Sequence, residues 1–209
     1  MREAALGSAI QWGSVAPLCL TSLAIMGSPG PATISLVAAG SAHGLRRSLP
    51  YMAGIIAGTI AVLLAVATGI TATLLAIPAL GSALIVVSAA YILWLAYHLA
   101  TAPPLAEQSA DAEGPSLAGG AFLGVANPKA WVACAATFAS VHLADAAIAD
   151  AASKIAVLIG MVLVIMPAWL VAGSSLAPLL RDPRRARVVN GALAASLVAA
   201  TALAVVRGA

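Results

Sequence analysis

The sequence predicts an all-α integral membrane protein whose six transmembrane helices form an inverted 3+3 repeat, with helices one and four broken by proline. Three observations carry this: the composition, six apolar runs parted by short polar breaks, and proline-broken stretches at matching places in the two halves. Of 209 residues, 62% are hydrophobic and 8% charged, against roughly 25% charged in soluble domains. Lipid is therefore expected to be most of the chain's solvent. A spanning helix takes ~20 mostly apolar residues, so six spans leave no room for a separate soluble catalytic domain. The net charge of +3 does not imply nucleic acid. The basic residues sit in breaks between apolar runs rather than on an exposed basic face.

The apolar runs place spans at 15–41, 49–76, 79–100, 117–141, 153–177 and 188–206. The first is read as a span rather than a signal peptide, because hydrophobicity resumes past Pro31 to Ala42 and the basic flank is only Arg2 beside Glu3. Val15 to Ser41 is 27 residues, or ~40 Å of helix against ~30 Å of hydrocarbon. The run Ser28-Pro29-Gly30-Pro31 explains the excess as two half-helices joined by unwound backbone. In span two, Gly54, Gly58, Ala61, Ala65 and Gly69 form a small-residue stripe suited to close helix packing. Ile77-Pro78 marks a tight turn, and Trp94, Tyr97 and His98 read as interfacial anchors at the end of span three. Residues 101–116, with two adjacent prolines, Glu107, Asp111 and Glu113, form a linker between a first repeat, 1–100, and a second, 117–209. Asn127-Pro128-Lys129 breaks span four as Ser28 to Pro31 breaks span one.

Lysine and arginine set the orientation. The segments between spans one and two and between five and six hold Arg46, Arg47, Arg181, Arg184, Arg185 and Arg187. The opposite side holds Arg2, Lys154 and Arg207. The excess places the first group in the cytoplasm and both termini outside. Three spans per repeat is an odd number, so the second copy enters the membrane in the opposite sense. Its broken helix would then meet that of the first near the midplane, where such transport sites form.

In order, Ser28-Pro29-Gly30-Pro31, Ala42-His43-Gly44-Leu45-Arg46-Arg47, Gly54 and Gly58, Ala90-Tyr91-Ile92-Leu93-Trp94-Leu95 and Asn127-Pro128-Lys129 resemble the lysine exporter and homoserine/threonine exporter family (LysE/RhtB). The match runs from about Leu18 to Ala204. The resemblance implies a multi-pass bacterial inner-membrane exporter of amino acids or related small metabolites, with no cofactor and no metal. Its partners would be the metabolite, membrane lipid and, optionally, further copies of itself. Two departures matter. An acidic residue that many relatives carry inside span five aligns with Pro167, and a lysine early in span three is replaced near Ile85. All seven carboxylates, including Asp145, Asp150 and Asp182, fall in expected loops or at the tail. Neither proton coupling nor a cationic substrate is therefore carried over, and a neutral amino acid or similar zwitterion is expected.

The candidate substrate-binding residues are Ser28, Pro29, Gly30, Pro31, Thr33, Thr59, Asn127, Pro128 and Lys129. Lys129 is the formal charge expected well inside a span, where charge costs ~2.5–3.5 kcal/mol on insertion scales. Asn127 can cap the half-helix, Pro128 suits its first position, and Lys129 adds a cation to its positive end, a place for a substrate carboxylate. Carbonyls freed by Pro29 and Pro31 could accept from a substrate ammonium, with glycine allowing close approach. Competing readings are a membrane dithiol electron carrier using Cys19 and Cys134, and a non-transporting scaffold subunit. In such carriers cysteine directly follows the helix-breaking proline, and those positions here are Gly30 and Lys129.

Overall fold

Proline and glycine punctuate the helices of the computed structural model, which describes residues 10–69, 86, 89–90, 92–94, 96–97, 100–101, 114–176 and 182–208. The Ile77-Pro78 turn, Ile85, His98, most of span three and the linker carboxylates lie outside these. Six helices have their full ranges described: α1 (Trp12–Ile25), α2 (Pro31–Ala67), α3 (Leu117–Ala126), α4 (Pro128–Ala139), α5 (Ala147–Ser175) and α6 (Pro183–Gly208); the described residues from 86 to 100 are helical as well. No strand occurs among the described residues. α2 and α5 are long and apolar enough to cross a membrane.

Both expected breaks fall at the expected residues. α1 ends at Ile25, the chain unwinds over 26–30, and α2 restarts at Pro31. α3 ends at Ala126 and α4 starts at Pro128. Proline is tolerated at a first helical position because that N–H has no intrahelical partner anyway. Pro167, by contrast, lies inside α5, which continues past it. α6 begins behind Asp182, whose carboxylate accepts from the backbone N–H groups of Arg184 at 2.8 Å and Arg185 at 3.1 Å. These two bonds, Arg185's first, hold the carboxyl below its usual range.

Two expectations are corrected. The first was a loop between spans one and two. Instead α2 continues through it, and Gly44 (φ 75°, ψ 170°) is its only non-helical residue. That conformation is open essentially to glycine alone, so one residue joins an upper limb, 31–43, to a lower limb, 45–67, and His43 is helical rather than in a loop. Secondly, α5 begins at Ala147, not 153, which moves Asp150 out of a loop into the helix's first turn. Alanine favours helix, a carboxylate suits the positive helix start, and Lys154 lies four residues on, as a helix-stabilising partner should.

α2 is the central element and packs chiefly against α5 and α3. A Cβ on Gly54 or Gly58 would strike the backbone of Leu117 or Ala121, and one on Gly120 or Gly124 the backbone of Tyr51 or Ile55. Two small-xxx-small faces thus interlock. The expected stripe holds at Gly54 and Gly58, whereas Ala61 and Gly69 are exposed. The upper limb is equally close to α5, where Gly173 meets the backbone of Val37 and Gly40 that of Leu170. Leu20, Val132, Leu163, Val164 and Val171 face outward, as a lipid-facing surface requires.

The ends are also tied. Gln11 donates its backbone N–H to the Leu143 carbonyl at 2.7 Å and its side-chain amide to Asp145 at 3.2 Å. The start of α1 therefore lies beside the segment joining α4 to α5. At another end, Gly114 abuts the backbone of Arg47.

Gly58→Ala should lower stability by ~1–3 kcal/mol through overpacking, since its Cβ would stand 2.5 Å from the Ala121 carbonyl oxygen. Gly160→Ala in α5, where a Cβ meets nothing within 4 Å, should leave stability unchanged or raise it by ~0.5–1 kcal/mol. Thermal unfolding of the two variants in detergent micelles checks the contrast.

Candidate functional site

The two breaks meet, and one side chain joins them. The Lys129 ammonium donates to the Ser28 carbonyl, to the Ser28 hydroxyl at 2.8 Å and to the Pro29 carbonyl at 3.1 Å. An ammonium has three N–H groups, and all three are used. Ser28 Oγ is set to accept because its own proton goes to the Ile25 carbonyl at 2.8 Å. The sequence reading has Lys129 and these carbonyls each awaiting one end of a substrate. In the structure they are paired with each other.

Local chemistry shapes each side. At the first break, Thr33 Oγ1 accepts from the Gly30 N–H at 2.8 Å, which is half of a capping box. The other half needs a side chain that glycine lacks. A Cβ on Gly30 would stand 2.6 Å from Lys129 Cδ and 2.9 Å from its Nζ, so this position must be free of side chain for the lysine to pass. At the second break, Asn127 Oδ1 accepts from the Lys129 backbone N–H at 3.1 Å, as a helix cap does. Two indoles complete the arrangement. Trp131 Nε1 donates to the Val125 carbonyl at 2.7 Å, and Trp169 Nε1 donates to the Gly27 carbonyl at 3.1 Å.

A narrow cavity of about 30 Å³ opens beside the lysine, well below the volume of small-molecule pockets. Of the expected residues, Gly30, Thr33, Thr59, Asn127 and Lys129 line it. Ser28 and Pro29 hold the lysine, while Pro31 and Pro128 start the helices without lining the cavity. The sequence reading missed Met26, Ala32, Ala130, Ala133 and Met166. Ala130 and Ala133 lie on the first turns after the break and were recoverable from helical spacing. Met26 and Met166 carried no signal. Thr59 is 3% exposed. Cys19 and Cys134 are free thiols inside α1 and α4.

A second polar cluster, also missed, closes the end of α5. Lys154 Nζ lies 2.7 Å from Asp150 Oδ2 and 5.1 Å from the centre of the Phe138 ring. Asp150 Oδ1 accepts from the Leu143 N–H at 2.6 Å, and His142 Nδ1 stands 3.5 Å from Oδ2. Lys154, counted among the outer cations in the sequence, is 3% exposed. The i,i+4 spacing of Asp150 and Lys154 was the available signal.

Long apolar helices and two proline-broken ones meeting beside a small cavity are features that helical membrane transporters share. The model of the LysE type translocators matches residues 23–208, and the chain belongs to that family. It is similar to the cysteine/O-acetylserine efflux protein of Salmonella choleraesuis (strain SC-B67), 43% identical over 83 residues, which are 39% of this chain and 42% of the relative. The protein of the same description from Salmonella typhi is 44% identical over 82 residues, with the same shares. The chain thus matches about two-fifths of the length of these relatives. No solved structure matches it.

The ion pair gives a stability test. Asp150→Asn should cost ~3–5 kcal/mol, because the buried Lys154 ammonium loses its partner. Lys154→Met should cost less, because Asp150 keeps the Leu143 N–H, and the double variant should cost less than Asp150→Asn. Unfolding of all four proteins in micelles, compared as a double-mutant cycle, measures this.

Proposed function

We propose that the protein exports small neutral amino acids, of the kind named for its relatives, across the bacterial cytoplasmic membrane by alternating access. The observation that carries this reading is the junction of the breaks: Lys129 of one reaches Ser28 and Pro29 of the other beside a shared cavity. Such junctions of discontinuous helices are where transporters bind solute. In this reading α1 with the upper limb of α2, and α3 with α4, are corresponding elements of an inverted 3+3 repeat. Rocking of one repeat against the other would open the cavity alternately to each side. The substrate site comprises Ser28, Pro29, Gly30, Thr33, Thr59, Asn127 and Lys129, with Pro31 and Pro128 shaping the half-helices.

Substrate charge follows from the lining. Thr33, Thr59, Asn127 and Lys129 are its polar members, and no carboxylate is among them. A dication would find no anionic partner there, whereas a zwitterion would find both backbone carbonyls and an ammonium. Orientation follows the basic residues: the Gly44 turn with Arg46 and Arg47, and the start of α6, face the cytoplasm, with both termini outside. The burial of Lys154 against Asp150 removes a cation from the external count and sharpens the bias.

Expression in a bacterial strain sensitive to cysteine or O-acetylserine should raise tolerance and external accumulation of one of them. Lys129→Glu should abolish this at normal membrane abundance, by setting a carboxylate against carbonyl oxygens and the substrate carboxylate. Protection confined to lysine, arginine or metal ions would contradict the reading. Reporters at Arg47 and Arg184 should be cytoplasmic and one near Asp145 external, and the reverse would refute the orientation.

A further inference from the structure

We propose that the Ser28 and Pro29 carbonyls and the Ser28 hydroxyl form a primary-ammonium site, which Lys129 occupies until a zwitterionic ligand displaces it. This rests on reading the cavity as the substrate site and adds how that site is kept and exchanged. Three oxygens converge on one ammonium, and the donor comes from the other broken helix, 101 residues away in sequence from Ser28. None of the three is borrowed from a carboxylate, so the site suits the cationic head of a neutral amino acid as well as that of lysine. Gly30 leaves the approach free of side chain. Thr59, almost wholly buried, lines the same cavity.

The consequence is an exchange of partners. A ligand's ammonium takes the three oxygens, and the Lys129 ammonium, on its flexible four-carbon stem, turns to the ligand's carboxylate beside the positive end of α4. A simple amine would displace Lys129 but offer it no anion. A simple carboxylate would draw Lys129 away and leave the oxygens without a donor. Only a molecule bearing both charges satisfies all groups at once, so Lys129 acts as a specificity residue by competing with the ligand it later binds. Lys129 also ties the breaks directly, and exchange replaces that tie with a bridge through the ligand. Binding would thereby be linked to relative movement of the two halves.

The test uses methylammonium as the probe, measured by equilibrium binding of the radiolabelled ion to purified full-length protein in nanodiscs. The parent protein should bind it weakly, because the site is already filled. Lys129→Ala and Lys129→Ser, which truncate the stem, should bind it about tenfold more tightly or better, the gain expected from charge-assisted hydrogen bonds to vacated acceptors. Adding Ser28→Ala to Lys129→Ala should reduce that gain. If neither truncation accumulates in membranes, methylammonium in the growth medium should restore their abundance by satisfying the same carbonyls. Truncated variants that bind no better than the parent, or abundance that the amine does not restore, would overturn the proposal. The probe reads the ammonium site alone, while cysteine efflux reads transport. Tighter amine binding in the variants without efflux by the parent upholds this inference and removes the export reading, and efflux without the gain does the reverse.

Discussion

A backbone break frees carbonyls from their intrahelical partners, and the structure depends on how these are satisfied. Each orphaned group costs several kcal/mol in hydrocarbon. At the first break, Gly27 is served by the Trp169 indole, and Ser28 and Pro29 by the Lys129 ammonium. At the second, Val125 is served by the Trp131 indole. Each donor comes from a side chain, and at the first break each lies on another helix. The first break is thus a point of attachment, because donors on α4 and α5 pair the carbonyls of the unwound stretch 26–30.

Close packing makes that approach geometrically possible. Glycines at 54, 58, 120 and 124 let the lower limb of α2 and α3 touch backbone to backbone, and those at 40 and 173 do the same for the upper limb and α5. With α2 gripped from both sides, its first turn, Pro31 to Thr33, is held against the second break. The Gly44 turn contributes by sending the chain from one limb to the next within a single residue, so the limbs stay packed in one unit.

Local chemistry was readable in the sequence, and long-range pairing was not. Pro128 announced a helix start because proline's missing N–H acts on its own turn, Asn127 announced its cap, and Pro29 and Pro31 announced a break. Gly54 and Gly58 were readable as packing residues, though not which of the stripe's members would be used, since Ala61 and Gly69 depend on where the neighbour ends. Lys129 stood out by charge, but its partners lie about a hundred residues away, and nothing local distinguishes a lysine that awaits a ligand from one already bonded. Gly44 looked like part of a loop because basic residues surround it, when one glycine in a glycine-only conformation suffices. The Asp150–Lys154 pair was visible as i,i+4 spacing but was obscured by placing the start of α5 at 153 rather than at Ala147. The roles of Trp131 and Trp169 could not be read, as an indole's hydrogen bond is set by tertiary position.

The central claim is that the two broken helices meet at their breaks. Ser28→Cys and Lys129→Cys, combined in a protein with Cys19 and Cys134 replaced by alanine, place thiols on either side of the junction. Treatment of intact membranes with a short bifunctional thiol reagent should link them within one chain, detected as a fragment-joining bond after proteolysis between the helices. The account predicts efficient linkage of this pair. It predicts none when Lys129→Cys is combined instead with Ile148→Cys, which puts the second thiol at an exposed position in the first turn of α5. Failure of the Ser28→Cys/Lys129→Cys pair to link, with both thiols shown to react singly, would contradict it.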